Sequence, residues 1–158
     1  MERLREVLAF VNHKGGVGKT TTVQSLAAGL RRFGKGFFGE DADGHHRLPR
    51  VLIIDLDPQA CASLLIGWSE TQNVGKPTVY DALVQQSNLP VYRVREGIYL
   101  APAASRLISI EPFLNQRAVP RKVLYRLLAK PLNEMSGTEL ADEGVTTVTE
   151  AFDYVLID

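Results

Sequence analysis

A single cysteine, Cys61, stands among 158 residues, which excludes an internal disulfide framework and any four-cysteine zinc site. Charge of one sign is also missing. Lys plus Arg number 18 and Asp plus Glu number 18, a formal net charge of zero. That balance excludes a chain whose whole surface attracts nucleic acid or anionic membrane, and leaves room only for a local patch. No apolar run reaches the roughly 20 residues that a membrane span needs. Met1 to Glu6 carries both charge signs and lacks the form of a signal peptide. There is no internal repeat and no low-complexity tract. What is present, 45% hydrophobic and 23% charged residues, has the proportions of a soluble, cytoplasmic globular protein, and the length favours one domain.

Val7 to Asn12 is a short apolar run that ends in a polar residue and then glycines; it reads as a strand buried on both faces. From Thr20 to Phe33, apolar residues at Val23, Leu26, Ala27, Leu30 and Phe33 have helical spacing, with Gly34 where a left-handed cap belongs. Val51 to Ile54, Ile98 to Ala101 and Tyr154 to Ile157 are further strands. Helices are expected over Ala60–Trp68, Val79–Val84, Leu107–Leu114 and Arg121–Ala129, the last closed by Pro131. Apolar strands alternating with helices mean an α/β fold around a largely parallel sheet flanked by helices. Lys35 to Arg50 and Ser136 to Gly144 break the rhythm and read as exposed loops.

His13-Lys14-Gly15-Gly16-Val17-Gly18-Lys19-Thr20-Thr21 leaves a strand and opens an amphipathic helix, the setting a phosphate-binding loop requires. Glycines let successive backbone N–H groups turn inward, and the helix N-terminus adds its positive end. Lys19 supplies a mobile cation for β- and γ-phosphates, and the Thr20 hydroxyl can ligate Mg²⁺. The first glycine of the general G-x-x-x-x-G-K-[ST] pattern is here His13, and a second lysine, Lys14, follows it. That lysine either serves the same nucleotide or reaches toward another molecule's. Asp55 and Asp57, two apart just past a buried strand, can both face the loop from the sheet end where open parallel sheets bind ligands. Capping of the following helix is the other reading of the pair. Asp158 closes a hydrophobic run from Tyr154, the Walker B design that delivers a carboxylate to the Mg²⁺ water shell.

The Lys14–Thr20 segment resembles the deviant phosphate loop of the ParA/MinD family of ATPases, and Asp55-Leu56-Asp57-Pro58-Gln59 resembles the D-x-D-P-Q motif of its ParA subgroup. Thr78-Val79-Tyr80-Asp81 is similar to a further ParA segment. The resemblance implies a P-loop fold, incomplete at the C-terminus because the family continues past the Walker B strand for roughly another hundred residues. It implies ATP and Mg²⁺ as cofactors. The loop Lys14, Gly15, Gly16, Val17, Gly18, Lys19, Thr20 and Thr21 would hold the nucleotide, Thr21 at the α-phosphate. Thr20, Asp55 and Asp158 would hold Mg²⁺, and Asp57 would orient the attacking water. Lys14 would cross to the partner's phosphates in a dimer that sandwiches two ATPs. Partition of a plasmid or chromosome is the implied role, with non-specific DNA and a ParB-like DNA-bound activator as partners, no membrane, and association with the nucleoid. Three other readings stay open. They are a MinD-like positioning ATPase on membrane, a reductase of the nitrogenase iron-protein type, and a nucleotide-binding module that never hydrolyses ATP.

Weaker signals were weighed against plainer ones. Gly34 to Gly39 fits G-x-G-x-x-G but follows a helix, so it fails as a dinucleotide fingerprint. Asp41, Asp43, His45 and His46 are ligand types, yet a polar inserted loop over 35–50 explains them. Arg117, Arg121, Lys122, Arg126 and Lys130 form a basic stretch that reads first as a solvated helix face. Cys61 is expected to be a buried helix cysteine, and Trp68 and Tyr80 to pack the core.

Overall fold

Residues 6–34, 48–115, 122–130 and 147–158 are described in the computed structural model. Five strands form one sheet: β1 (Glu6–Ala9), β2 (Val51–Ile54), β3 (Tyr92–Arg95), β4 (Ile98–Ala101) and β5 (Tyr154–Ile157). The spatial order is β1-β5-β2-β4-β3, parallel except for the antiparallel β3–β4 pair. The helices are α1 (Lys19–Phe33), α2 (Cys61–Leu65), α3 (Val79–Gln85), α4 (Glu111–Asn115), α5 (Val123–Leu128) and α6 (Val148–Ala151). The fold class expected from the apolar strands is the one observed.

The three central strands are apolar at every position because both faces are covered, and strand alternation sorts their side chains between two cores. Leu52, Ile54, Tyr99, Ala101, Val155 and Ile157 face a core completed by α3, α5, α6 and Phe152. Val51, Ile53, Leu100 and Leu156 face the other, completed by Val23 and Ala27 of α1 with Ala62 and Trp68. Phe152, 2% exposed, meets Tyr99 edge to face at a centroid distance of 5.1 Å. The expected core roles of Trp68 and Tyr80 hold, Tyr80 from a half-buried position.

Several expectations need correction. β1 is an edge strand, and Glu6, Val7 and Ala9 are exposed, because β5 covers one side of it only. Gly34 has φ −73°, not a left-handed value; it is required because a Cβ there would collide with the Leu30 carbonyl oxygen and lie 2.9 Å from Pro49 Cγ. Phe33 is 71% exposed, with the Arg32 guanidinium 5.3 Å from its ring centre. The helix expected over Leu107–Leu114 splits into a 3₁₀ turn (Ser105–Ser109) and α4. Cys61 is exposed at the start of α2. Lys130 is not part of a free basic face, since its ammonium contacts the Gln86 carbonyl and ties α5 to the end of α3. Residues 35–47, with Asp41, Asp43, His45 and His46, and Arg117, Arg121, Pro131 and 136–144 lie outside the described residues.

Candidate functional site

The strand order sets up the site. β5 lies between β1 and β2, so the loop after β1, the carboxylates after β2 and Asp158 after β5 leave the same edge of the sheet side by side. Backbone hydrogen bonds stitch these ends together: Phe10 N–H donates to Ile157 O (2.9 Å), Asp158 N–H to Ile54 O (3.0 Å) and Leu56 N–H to Asp158 O (3.0 Å).

Gly16 and Gly18 have φ values of 71° and 85°, a left-handed turn that only glycine enters without strain. Gly18 is the N-cap of α1, with no side-chain cap on the first amides and no acidic residue in the first turn. Those amides and the positive end of a 15-residue helix are thus left to an external acceptor. The Thr22 hydroxyl donates to Gly18 O at 2.8 Å and stays out of this edge. Lys19 and Thr20 are half-buried at the helix start, while Lys14, Gly15, Val17 and Thr21 are exposed. The Lys14 amide donates to Asn12 Oδ1 at 2.9 Å, which fixes the turn and leaves the ammonium with no carboxylate partner among the described residues.

The two carboxylates of the Asp55–Gln59 segment have different surroundings. Asp55 is fully buried and accepts three hydrogen bonds, from Asp57 N–H (3.1 Å), Ser63 N–H (2.8 Å) and the Ser63 hydroxyl (2.7 Å). Burial pushes its carboxyl above the ordinary carboxylate range, the donors of Ser63 and Asp57 pull it back, and the Asp158 charge adds to the rise. Asp57 is half-buried and accepts Gln59 N–H at 2.9 Å in a tight turn. Both carboxylate oxygens of Asp158 are buried and have no hydrogen-bond partner among the described residues.

Those two orphaned oxygens, at the end of the strand that neighbours β1, suit a hydrated divalent cation, which would supply the missing donors through its waters. Among the described residues there is no cluster of three or more His, Cys, Asp or Glu side chains placed to hold a metal by themselves.

Ser63 escapes a reading of the sequence. It is fully buried, binds Asp55 twice, and its oxygen accepts Ala103 N–H at 3.1 Å, so one hydroxyl joins the ends of β2 and β4. A serine eight residues after an aspartate carries no pattern of its own; only the turn at Asp57–Ala60 brings them together. Ser63→Ala should lower stability by about 1–3 kcal/mol, because two buried groups lose a partner. Ser63→Thr should retain most of it, and urea unfolding of the three proteins checks this.

A family model described as AAA domain matches residues 5–158. The chromosome partitioning protein ParA of Caulobacter vibrioides is 36% identical over 115 residues, covering 71% of this chain and 37% of that protein. The chromosome-partitioning ATPase Soj of Thermus thermophilus is 36% identical over 101 residues, covering 64% of this chain and 33% of that protein. A cobyrinic acid a,c-diamide synthase of Mycobacterium smegmatis, solved with bound ADP and magnesium, superposes with a TM-score of 0.69 at 31% identity, covering 98% of this chain and 50% of that one. The chain spans about half the length, or less, of the proteins it matches. No described helix is long and apolar enough to cross a membrane. With a family match across nearly its whole length and the sheet order that builds the phosphate edge, the chain belongs to the AAA-domain family and, within it, to the ParA-type P-loop ATPases.

Proposed function

We propose that the protein binds MgATP at the 14–21 loop and hydrolyses it to drive partition of a plasmid or chromosome. The observation that carries this is the uncapped start of α1, opened by two left-handed glycines, together with the unpartnered buried carboxylate at the end of the neighbouring β5. The partition role rests on the named relatives; the ATP-dependent homodimer, non-specific DNA and DNA-bound ParB-like activator are what the ParA resemblance implies.

Catalysis in such a site is positioning and charge neutralisation. Gly15, Gly16 and Gly18 offer backbone donors, and Lys19 offsets charge on the β- and γ-oxygens. Thr21 serves the α-phosphate. The Thr20 hydroxyl and the Asp158 carboxylate would hold Mg²⁺, which neutralises phosphate charge, and Asp55 adds its charge from behind. Asp57, more open than Asp55, orients the attacking water. Ser63 holds Asp55 in place.

Lys14 is assigned to the partner's nucleotide, in keeping with its exposure and lack of a carboxylate partner among the described residues. Lys14→Ala should therefore keep ATP affinity within about threefold, which corresponds to under 1 kcal/mol, and lose nucleotide-dependent dimers. Light scattering with and without a slowly hydrolysed analogue reads the outcome. Persistent dimers in the variant would assign this lysine to its own subunit. The proposal as a whole is tested by ATP turnover measured with DNA and activator present. Binding without turnover under those conditions would leave a non-hydrolysing module.

A further inference from the structure

A second concavity, of about 430 Å³, is lined by none of the residues at the three strand ends. Its walls come from the segment after α2 (Trp68 to Pro77), the first turn of α3 and the turn between α3 and β3 (Ser87 to Pro90). The volume is within the range of small-molecule sites. Both sides are anchored. Thr78 and Asp81 form a reciprocal capping box at the start of α3, and Lys130 holds the carbonyls at its end.

The polar groups on the wall divide into those already matched and those left over. Asp81 accepts from Thr78 N–H and its hydroxyl (2.8 Å each) and from Arg106 (3.3 Å). Arg106 also covers the Tyr80 ring at 4.6 Å. Glu70 accepts the Ser105 amide at 3.1 Å. Two donors remain. Lys76 has no carboxylate partner among the described residues; its ammonium rests 5.4 Å from the Trp68 ring centre and 5.7 Å from that of Tyr92. The Trp68 indole N–H is shut off from solvent and has no acceptor among the described residues, in a side chain only 7% exposed. Beside them Val74, Pro77, Leu89 and Pro90 supply an apolar wall.

We propose that this cavity binds a small amphipathic carboxylic acid, its carboxylate on Lys76 and the Trp68 N–H and its apolar body against Val74, Leu89 and Pro90. A surface cation–π contact is weak enough to be exchanged for an ion pair. The Lys76 ammonium therefore leaves the ring faces for the entering carboxylate. Both wall carboxylates, Glu70 and Asp81, already accept hydrogen bonds, whereas the Lys76 ammonium has no carboxylate partner among the described residues, and that asymmetry favours an anion over a cation. The site is independent of the nucleotide reading, and its test uses no nucleotide.

Trp68 is the only tryptophan in the chain, so intrinsic indole emission reports on this cavity alone. The probes are hexanoate and 4-phenylbutyrate, each against its neutral amide, titrated to concentrations on the order of 10 mM, above the millimolar affinities expected of ligands this small. The expected result is a saturable change in emission, at least tenfold weaker for the amides and for Lys76→Gln, with phenylbutyrate tighter than hexanoate. Lys76 is exposed, so this variant folds; circular dichroism confirms that, and calorimetry of the same titrations gives an affinity free of any shift in baseline emission. Equal response to acid and amide, full retention in Lys76→Gln, or no saturation would overturn the proposal. So would binding confined to acidic peptides.

Discussion

Lys19→Ala should weaken MgATP binding by roughly a hundredfold, the equivalent of about 3 kcal/mol for removing one member of a desolvated charge pair. The lysine is the first residue of α1, half-buried, above helix amides that no side chain caps. A polyphosphate placed there meets backbone donors and a partial positive charge, but only Lys19 adds a full charge that can follow the β- and γ-oxygens. Lys14 cannot compensate within one subunit if it serves the partner. Alanine is the best helix former, so the fold should survive and circular dichroism should be unchanged. Calorimetric titration with a slowly hydrolysed analogue measures the loss. Wild-type affinity in the variant would remove the phosphate-loop reading, and the uncapped helix start would then need another ligand.

The elements legible in the sequence were those whose burial is uniform. β2, β4 and β5 are apolar at each position because helices cover both faces, and a run such as Val51 to Ile54 has no other economical reading. β1 has the same composition and a different fate, since neighbouring strands are long-range partners that composition does not encode. β3 was missed although Tyr92-Arg93-Val94-Arg95 alternates as an edge strand should. Two arginines in four residues leave little apolar signal, and pairing with β4 across the Glu96–Gly97 turn fixes the strand.

The site divides in the same way. The loop from Lys14 to Thr21 was legible because its chemistry is local: glycines, a lysine and a threonine at fixed offsets before a helix. Asp55 and Asp57 were visible as a pair, but not their unequal surroundings, which depend on Ser63 folding back over Asp55 while Asp57 stays at the open end of a turn. Long-range order also explains the cavity beside α3. Trp68, Lys76, Leu89 and Arg106 are scattered along the chain and share no motif, yet the walls they belong to enclose one space.

Asp158→Asn should have opposite effects on the empty and the nucleotide-bound protein. Two buried oxygens without partners destabilise the empty fold, and their charge repels the buried Asp55. Neutralising the side chain at constant shape should raise the stability of the empty protein by about 1 kcal/mol. The same change removes the carboxylate that would hold the water shell of Mg²⁺, and outer-shell carboxylates of this kind are worth about 10- to 100-fold in metal affinity or activity. A hundredfold loss of affinity withdraws up to about 2.7 kcal/mol of ligand stabilisation at a fixed MgATP concentration. Thermal unfolding with and without MgATP reads both effects on one sample: the variant should start higher and gain less. A function-neutral residue would move neither value, and one that serves packing alone would lower the first and leave the second unchanged. Only a carboxylate kept unsatisfied for a cation raises the first and lowers the second, which makes the sign of the change, more than its size, the decisive observation.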